Sequence, residues 1–123
     1  MTEATKETFR DLVSRGQVLV DVWGPDCRPC LALMPHVERQ AGERPALDVV
    51  KLEAPKARRL CMELRVMGLP AFLLFNDGEE VGRLNGPEVT PETLESWLDE
   101  TLAGAGSEPG PDAGAGAEGD ASG

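Results

Sequence analysis

Apolar positions along the chain follow two rhythms. Between residues 5 and 13, Phe9, Leu12 and Val13 recur three and four places apart among polar neighbours, and Gly16 follows as a stop. That spacing predicts a helix burying one face. From residue 17 to residue 23 the alternation vanishes into Val18, Leu19, Val20, Val22 and Trp23, the signature of a strand covered on both sides. Asp21 is its one polar intruder, and Gly24, Pro25 and Asp26 break it. A second helix is predicted over about residues 28–41, with Leu31, Met34, Val37 and Ala41 inward and Gly42 as its stop. Pro35 lies inside it, where a proline removes a donor and bends the axis.

Residues 47–52 form a second β-rich run, and Pro55 opens a helix over about 56–66 in which Leu60 and Leu64 share a face. Gly68, Leu69 and Pro70 punctuate it. Residues 71–75 are a third apolar strand, and Asn76, Asp77 and Gly78 signal a tight turn into a strand over 80–84, making an antiparallel pair. Thr90 is a good N-cap with Pro91 behind it, and Leu94, Trp97, Leu98 and Leu102 stripe the last helix. The order α-β-α-β-α-β-β-α predicts an α/β fold. Its central mixed sheet of about four strands carries helices on both faces, the helix-joined strands running parallel and the hairpin adding an antiparallel edge.

Composition trims this to one domain. Residues 104–123 hold seven of the 14 glycines and no Leu, Ile, Val, Met, Phe or Trp, so the folding unit is 1–103 and 104–123 reads as a disordered acidic Gly/Ala-rich tail. The chain has 12 Lys and Arg against 22 Asp and Glu, a net charge of −10; the tail contributes four acids and no base, leaving 1–103 at −6. A negative body without a basic patch argues against nucleic acid and anionic membranes as partners. No apolar run is long enough to span a bilayer, and residues 1–15 are charged without the apolar stretch of a secretory signal. A cytoplasmic monomer is expected.

Three cysteines, at 27, 30 and 61, are too few and too odd in number for a disulfide scaffold. The spacing Cys27-Arg28-Pro29-Cys30 means either redox chemistry or half of a metal site. Zinc wants four ligands; only Cys61 and His36 remain, at no recommending spacing. A disulfide exchanger needs a thiolate on one cysteine and a second thiol near enough to resolve the mixed disulfide. A helix N-terminus supplies unpaired N–H groups and a positive dipole end that lower the first thiol's pKa. Cys27 falls right after the strand break and Cys30 in the first helical turn, the first thiol exposed and the second half-buried. Pro29 supports the turn where no donor is needed.

The segment Val20-Asp21-Val22-Trp23, then Cys27-Arg28-Pro29-Cys30 and Pro35, resembles the active-site segment of the thioredoxin family. Lys51, Gly68-Leu69-Pro70, Asp77-Gly78 and Gly86 extend the resemblance over roughly residues 5–103 without a gap. It implies a thioredoxin fold and a protein-disulfide reductase that binds no cofactor or metal of its own. Cys27 would attack, Cys30 resolve, and Asp21, with Lys51 as neighbour, accept the Cys30 proton through water. A carboxylate in an apolar strand has a raised pKa suited to that work. Trp23 would pack beneath the loop and Pro70 follow a cis peptide. The Leu69 backbone would pair with an extended substrate segment beside Gly86, Arg28 and Pro29. Implied partners are disulfide-containing proteins and an upstream flavin- and NADPH-dependent reductase, a thioredoxin reductase.

Three departures stand out. Asp26 replaces the family's usual Trp and Arg28 its usual Gly; Arg28 favours the Cys27 thiolate and Asp26 opposes it. With only about four residues before the first helix, the family's first strand is expected to be absent. The two charges favour an alternative, a specialised electron carrier with a dedicated donor or acceptor. A non-catalytic peptide-binding module ranks below both, because both cysteines are present. Outside the motif, Cys61 reads as a small buried hydrophobe, His36 as a surface residue, Arg58 and Arg59 as a solvated helix face, and the tail as a solubiliser.

Overall fold

The computed structural model describes residues 1–107. Along the chain come β1 (Thr2–Ala4), α1 (Phe9–Leu12), β2 (Gln17–Trp23), α2 (Arg28–Glu43), β3 (Leu47–Glu53), a 3-10 turn (Ala54–Lys56), α3 (Arg58–Glu63), β4 (Ala71–Asn76), β5 (Glu79–Asn85) and α4 (Pro91–Ser107). They build a five-stranded mixed sheet in the order β1-β3-β2-β4-β5, with helices on both faces. Strand β2 sits at its centre, paired with β3 from Gln17 to Trp23 and with β4 from Gln17 to Val22, and its residues 18–22 are all buried.

Alternation along the strands sorts two cores. Val18, Val20 and Val22 of β2, with Val50, Leu52 and Leu73, pack against Phe9 and Val13 and against Leu60 and Leu64. Phe9 meets Phe75 edge to face at 5.7 Å, the geometry ring quadrupoles favour. On the other face Leu19, Val49, Phe72 and Leu74 pack against Leu33 and Val37 of α2 and Leu94 and Leu98 of α4. The hairpin turn carries Asp77 and Gly78 at φ 51° and 88°, left-handed positions that the Asp-Gly pair accommodates. Asp77 ties the turn to the α1–β2 junction: its N–H donates to Gly16 O and its Oδ1 accepts from Gly16 N at 2.7 Å.

Several expectations need correction. The strand before the first helix, expected to be absent, exists: β1 pairs parallel with β3, Thr2 to Val50 through Ala4 to Leu52, and makes five strands. Three residues suffice because the edge of β3 supplies the partners. Strand β4 follows a helix, yet runs antiparallel to β2. The β3–β4 connection carries only the 3-10 turn and the six-residue α3, with no helix as long as the strands it joins. The chain re-enters the sheet at the end where it left, Ala71 opposite Val22. Helix α1 is four residues long because Thr5 and Thr8 exchange side-chain hydrogen bonds with each other's backbone N–H, closing a turn before Phe9.

Helix α2 runs through Pro35 to Glu43, and its buried positions are Cys30, Leu33, Val37 and Gln40. Leu31, expected inward, is exposed. Helix α4 continues to Ser107, four residues beyond the boundary placed at residue 103; the rest of the proposed tail, 108–123, lies outside the described residues. Among the described residues no helix is long and apolar enough to cross a membrane.

Gly82 marks where α4 meets β5. A Cβ there would lie 2.7 Å from Thr101 Cγ2 and 3.4 Å from Trp97 Cζ2, and a β-branched side chain in a helix has little freedom to move. Gly82→Ala should therefore lower stability by about 1–3 kcal/mol in urea unfolding. Thr101→Ser, which removes the obstructing methyl, should restore most of it. An alanine variant as stable as the parent would show that the helix slides freely on the strand.

Candidate redox site

The site is built at the end of the sheet where β2 and β3 finish and β4 starts. The chain leaves Trp23, turns through residues 24–26 with Cys27 N–H donating to Gly24 O at 3.1 Å, and enters α2. Cys27 is the N-cap of that helix: its backbone is extended and its Sγ accepts the N–H of Cys30 at 3.2 Å. A helix start leaves N–H groups without partners, and the sulfur takes the place of the usual capping oxygen. Arg28 and Pro29 form the first turn, with the proline where its missing N–H costs nothing.

Cys27 and Cys30 are joined as a disulfide with Cα atoms 5.2 Å apart. Cys27 is partly exposed and Cys30 is buried. The asymmetry expected of an attacking and a resolving thiol is present, with Cys30 deeper than the half-burial expected. Asp26 and Arg28 are both exposed beside Cys27.

Beneath this turn, Asp21 and Trp23 point to the α2 side of the sheet, and Lys51 is the register partner of Asp21 on β3. Asp21 is 1% exposed, and neither carboxylate oxygen accepts a hydrogen bond among the described residues. Burial pushes its pKa up to about 7 against the opposing pull of Lys51. The Lys51 ammonium stands 5.7 Å from the Trp23 ring centroid, within cation–π range. Trp23 Nε1 is also buried without a protein partner. Cys30 shares its helical face with Leu33 and Val37, which pack on the same side of the sheet. Asp21 and Cys30 thus face one interlayer.

The segment before β4 forms the second wall. Leu69-Pro70 is a cis peptide and Pro70 is buried. A Cβ on Gly24 would lie 3.3 Å from Leu69 Cδ1 and 3.9 Å from Pro55 Cδ, so glycine lets this wall close on the cysteine loop. Gly86, at φ 112°, donates its N–H to Pro70 O at 3.0 Å. The sequence-predicted residues Cys27, Arg28, Pro29, Cys30, Asp21, Trp23, Lys51, Leu69, Pro70 and Gly86 therefore gather at one end of the sheet.

Arg83 escaped the sequence reading. From β5 its guanidinium donates to Leu64 O at 2.6 Å and Arg65 O at 2.8 Å, capping α3, while Glu80 grips it through Nε at 2.7 Å. The 64–70 segment is thus tied to β5 at both ends, by Arg83 and by Gly86. Nothing in the sequence marks Arg83 apart from its charge within a strand. Cys61 is buried beside Leu60 and Leu64, and burial pushes its thiol up, away from reactivity. Among the described residues no three His, Cys, Asp or Glu side chains cluster to hold a metal.

The thioredoxin family model matches residues 1–100. Thioredoxin of Acetoanaerobium sticklandii is 38% identical over 103 residues, covering 80% of this chain and 96% of that protein. Thioredoxin C-3 of Corynebacterium nephridii is 31% identical over 102 residues, covering 81% and 70%. In structure, oxidised mitochondrial thioredoxin 3 of Saccharomyces cerevisiae is similar at TM-score 0.74 and 25% identity, over 81% of this chain and 94% of that one. With its Cys27–Cys30 pair at the family's active-site position, the chain belongs to the thioredoxin family and is a thiol–disulfide oxidoreductase of the protein-disulfide reductase kind.

Proposed function

We propose the following division of labour in protein-disulfide reduction. In the reduced state Cys27 is the thiolate, favoured by the Cys30 N–H and the start of α2. It attacks one sulfur of a substrate disulfide; the other sulfur leaves as a thiolate and takes a proton from solvent. Cys30 then gives its proton to Asp21, through water, and attacks the Cys27 sulfur. The second substrate thiolate departs and the Cys27–Cys30 disulfide forms. Two electrons pass from the dithiol to the substrate. Lys51 holds Asp21 within reach of neutral pH. The groove between the cysteine turn and the Leu69–Pro70 wall receives an extended substrate segment, with Trp23 supporting it, Arg28 and Pro29 at its rim and Gly86 leaving it open. The observation that carries this assignment is the sulfur of Cys27 in the N-cap position.

Re-reduction falls to an upstream reductase, the NADPH-dependent thioredoxin reductase that the family implies, in a cytoplasmic electron-transport chain. The exposed pair Asp26 and Arg28 favours a second reading, a carrier serving one dedicated donor. Comparing the rate of recycling by a generic thioredoxin reductase with that by other dithiol donors separates the two. Residues 1–103 carry this chemistry, and 104–123 serve as a solubilising extension.

With insulin as substrate, Cys27→Ser should reduce turnover to the uncatalysed background. Cys30→Ser should accumulate a covalent enzyme–insulin adduct visible by mass spectrometry without reductant. Intact turnover in the first variant, or no adduct in the second, would contradict the assigned order of attack.

Asp21 links stability to pH. Its carboxyl titrates near 3.8 unfolded and about 7 folded, so between those values the native state holds a proton that the unfolded chain has lost. Stability therefore falls as pH rises through that window, by on the order of 4 kcal/mol when complete. Asp21→Asn should be more stable than the parent at pH 8 and equal to it below pH 4, while the release of substrate from the mixed disulfide slows about 10²-fold. A parent and variant whose melting temperatures run parallel from pH 4 to 8 would show that the carboxyl is not perturbed.

Arg83→Met should raise KM for insulin about fivefold, with a smaller effect on kcat, because it frees one end of the substrate wall. Arg83→Lys should recover part of the loss, since lysine supplies one point donor where arginine supplies a fork. An equal loss in both parameters would mean that the clamp serves only folding.

A further inference from the structure

Five of the twelve basic residues of this acidic protein line one groove. Lys6 and Arg10 approach from the α1 side, and Lys56, Arg58 and Arg59 from the 3-10 turn and α3. The groove encloses about 560 Å³. Lys56, Arg58 and Arg59 fall within four residues of sequence, and folding brings Lys6 and Arg10 to them. Two acids, Glu7 and Glu63, share the lining, so its formal charge is +3 on a chain of −10. The existing pairs are long: Arg10 to Glu63 at 3.6 Å, and Lys56 to Glu53, which lies beside the groove, at 3.5 Å. Lys6, Arg58 and Arg59 are exposed and have no ion pair among the described residues.

The position matters as much as the charge. Pro55, at the lip of the groove, is the residue whose Cδ would touch a Cβ on Gly24, three residues before Cys27. Pro55 thus links the rim of this trough to the turn that carries the dithiol. Solvated cations clustered without matching anions repel one another, and an incoming carboxylate relieves that repulsion.

Resting on the reductase reading above, we infer that this groove is a docking surface for an acidic segment flanking the disulfide of the protein substrate. At 0.1 M ionic strength screening confines interactions to about 10 Å, so a segment in the groove feels its five cations, the two lining acids and the neighbouring Glu53, an excess of about +2, rather than the sum over the whole chain. Net charge alone predicts the reverse, a preference for basic substrates. The two predictions have opposite signs.

The test uses the full chain, reduced beforehand, in single-turnover reactions with two synthetic peptides. Each has one internal disulfide, flanked on both sides by three glutamates in one peptide and three lysines in the other. At 0.1 M ionic strength the Glu-flanked peptide should be reduced about tenfold faster, and the ratio should approach one at 1 M salt. Charge reversal in Arg58→Glu/Arg59→Glu should abolish or invert the preference, and Lys6→Glu on the opposite wall should shift it the same way. Near-UV circular dichroism matching the parent shows the variants folded. Equal rates for the peptides, faster reduction of the lysine peptide, or a preference surviving charge reversal would overturn the docking surface while leaving the redox reading standing. Failure to reduce either peptide would overturn both.

Discussion

The contact on which the site depends is small: the backbone N–H of Cys30 resting on the sulfur of Cys27. A helix must begin somewhere, and its first N–H groups need an acceptor. Here the acceptor is the reacting atom. Helix α2 is held against the sheet by Leu33 and Val37, both buried, so the N–H cannot drift from the sulfur without disturbing the core. Strand β2, paired on both edges, fixes the other side of the turn. Packing and reactivity thus meet at one residue, and the stability of the helix cap and the stability of the thiolate become the same interaction.

Asp21 is the counterweight. A central strand could be made of apolar residues alone and would be more stable at neutral pH for it. Instead it carries a carboxyl that burial holds near neutrality in its titration, with Lys51 in register beside it pulling the other way. Desolvation dominates, which keeps the proton exchangeable at physiological pH rather than permanently lost. The cost is tolerable because it falls on one residue of a sheet whose remaining core is apolar on both faces.

Much of this was legible in the sequence because the central elements advertise themselves. Continuous apolar runs marked β2 and β4, the Asp-Gly turn marked the hairpin, and Asp21 stood out as the one polar residue in its strand. What could not be read lies between elements distant in the chain. Strand β1 has only Ala4 buried and no periodicity; it exists because β3 offers an edge. The reversed direction of β4 is set by where the chain re-enters the sheet, which a periodic pattern does not express. In α2 both Leu31 and Leu33 fit a spacing of three or four from Met34 or Val37, and the buried Cys30 decides the phase in favour of Leu33. Arg83 clasps carbonyls some 19 residues away, and backbone carbonyls leave no mark in a sequence.

Net charge is the coarsest of these sequence quantities. A sum of −10 suggests a surface that repels acids everywhere, yet it averages over distances greater than the reach of a charge in salt water. A partner docking at one end of the sheet senses only the groups within about 10 Å of its own charges. In the groove between α1 and α3 those groups include five cations and three anions, Glu53 among them. Over the whole chain Asp and Glu outnumber Lys and Arg, and that surplus keeps molecules of this protein apart in solution. Solubility and partner choice can then be set by different parts of one surface, provided they are separated by more than a screening length.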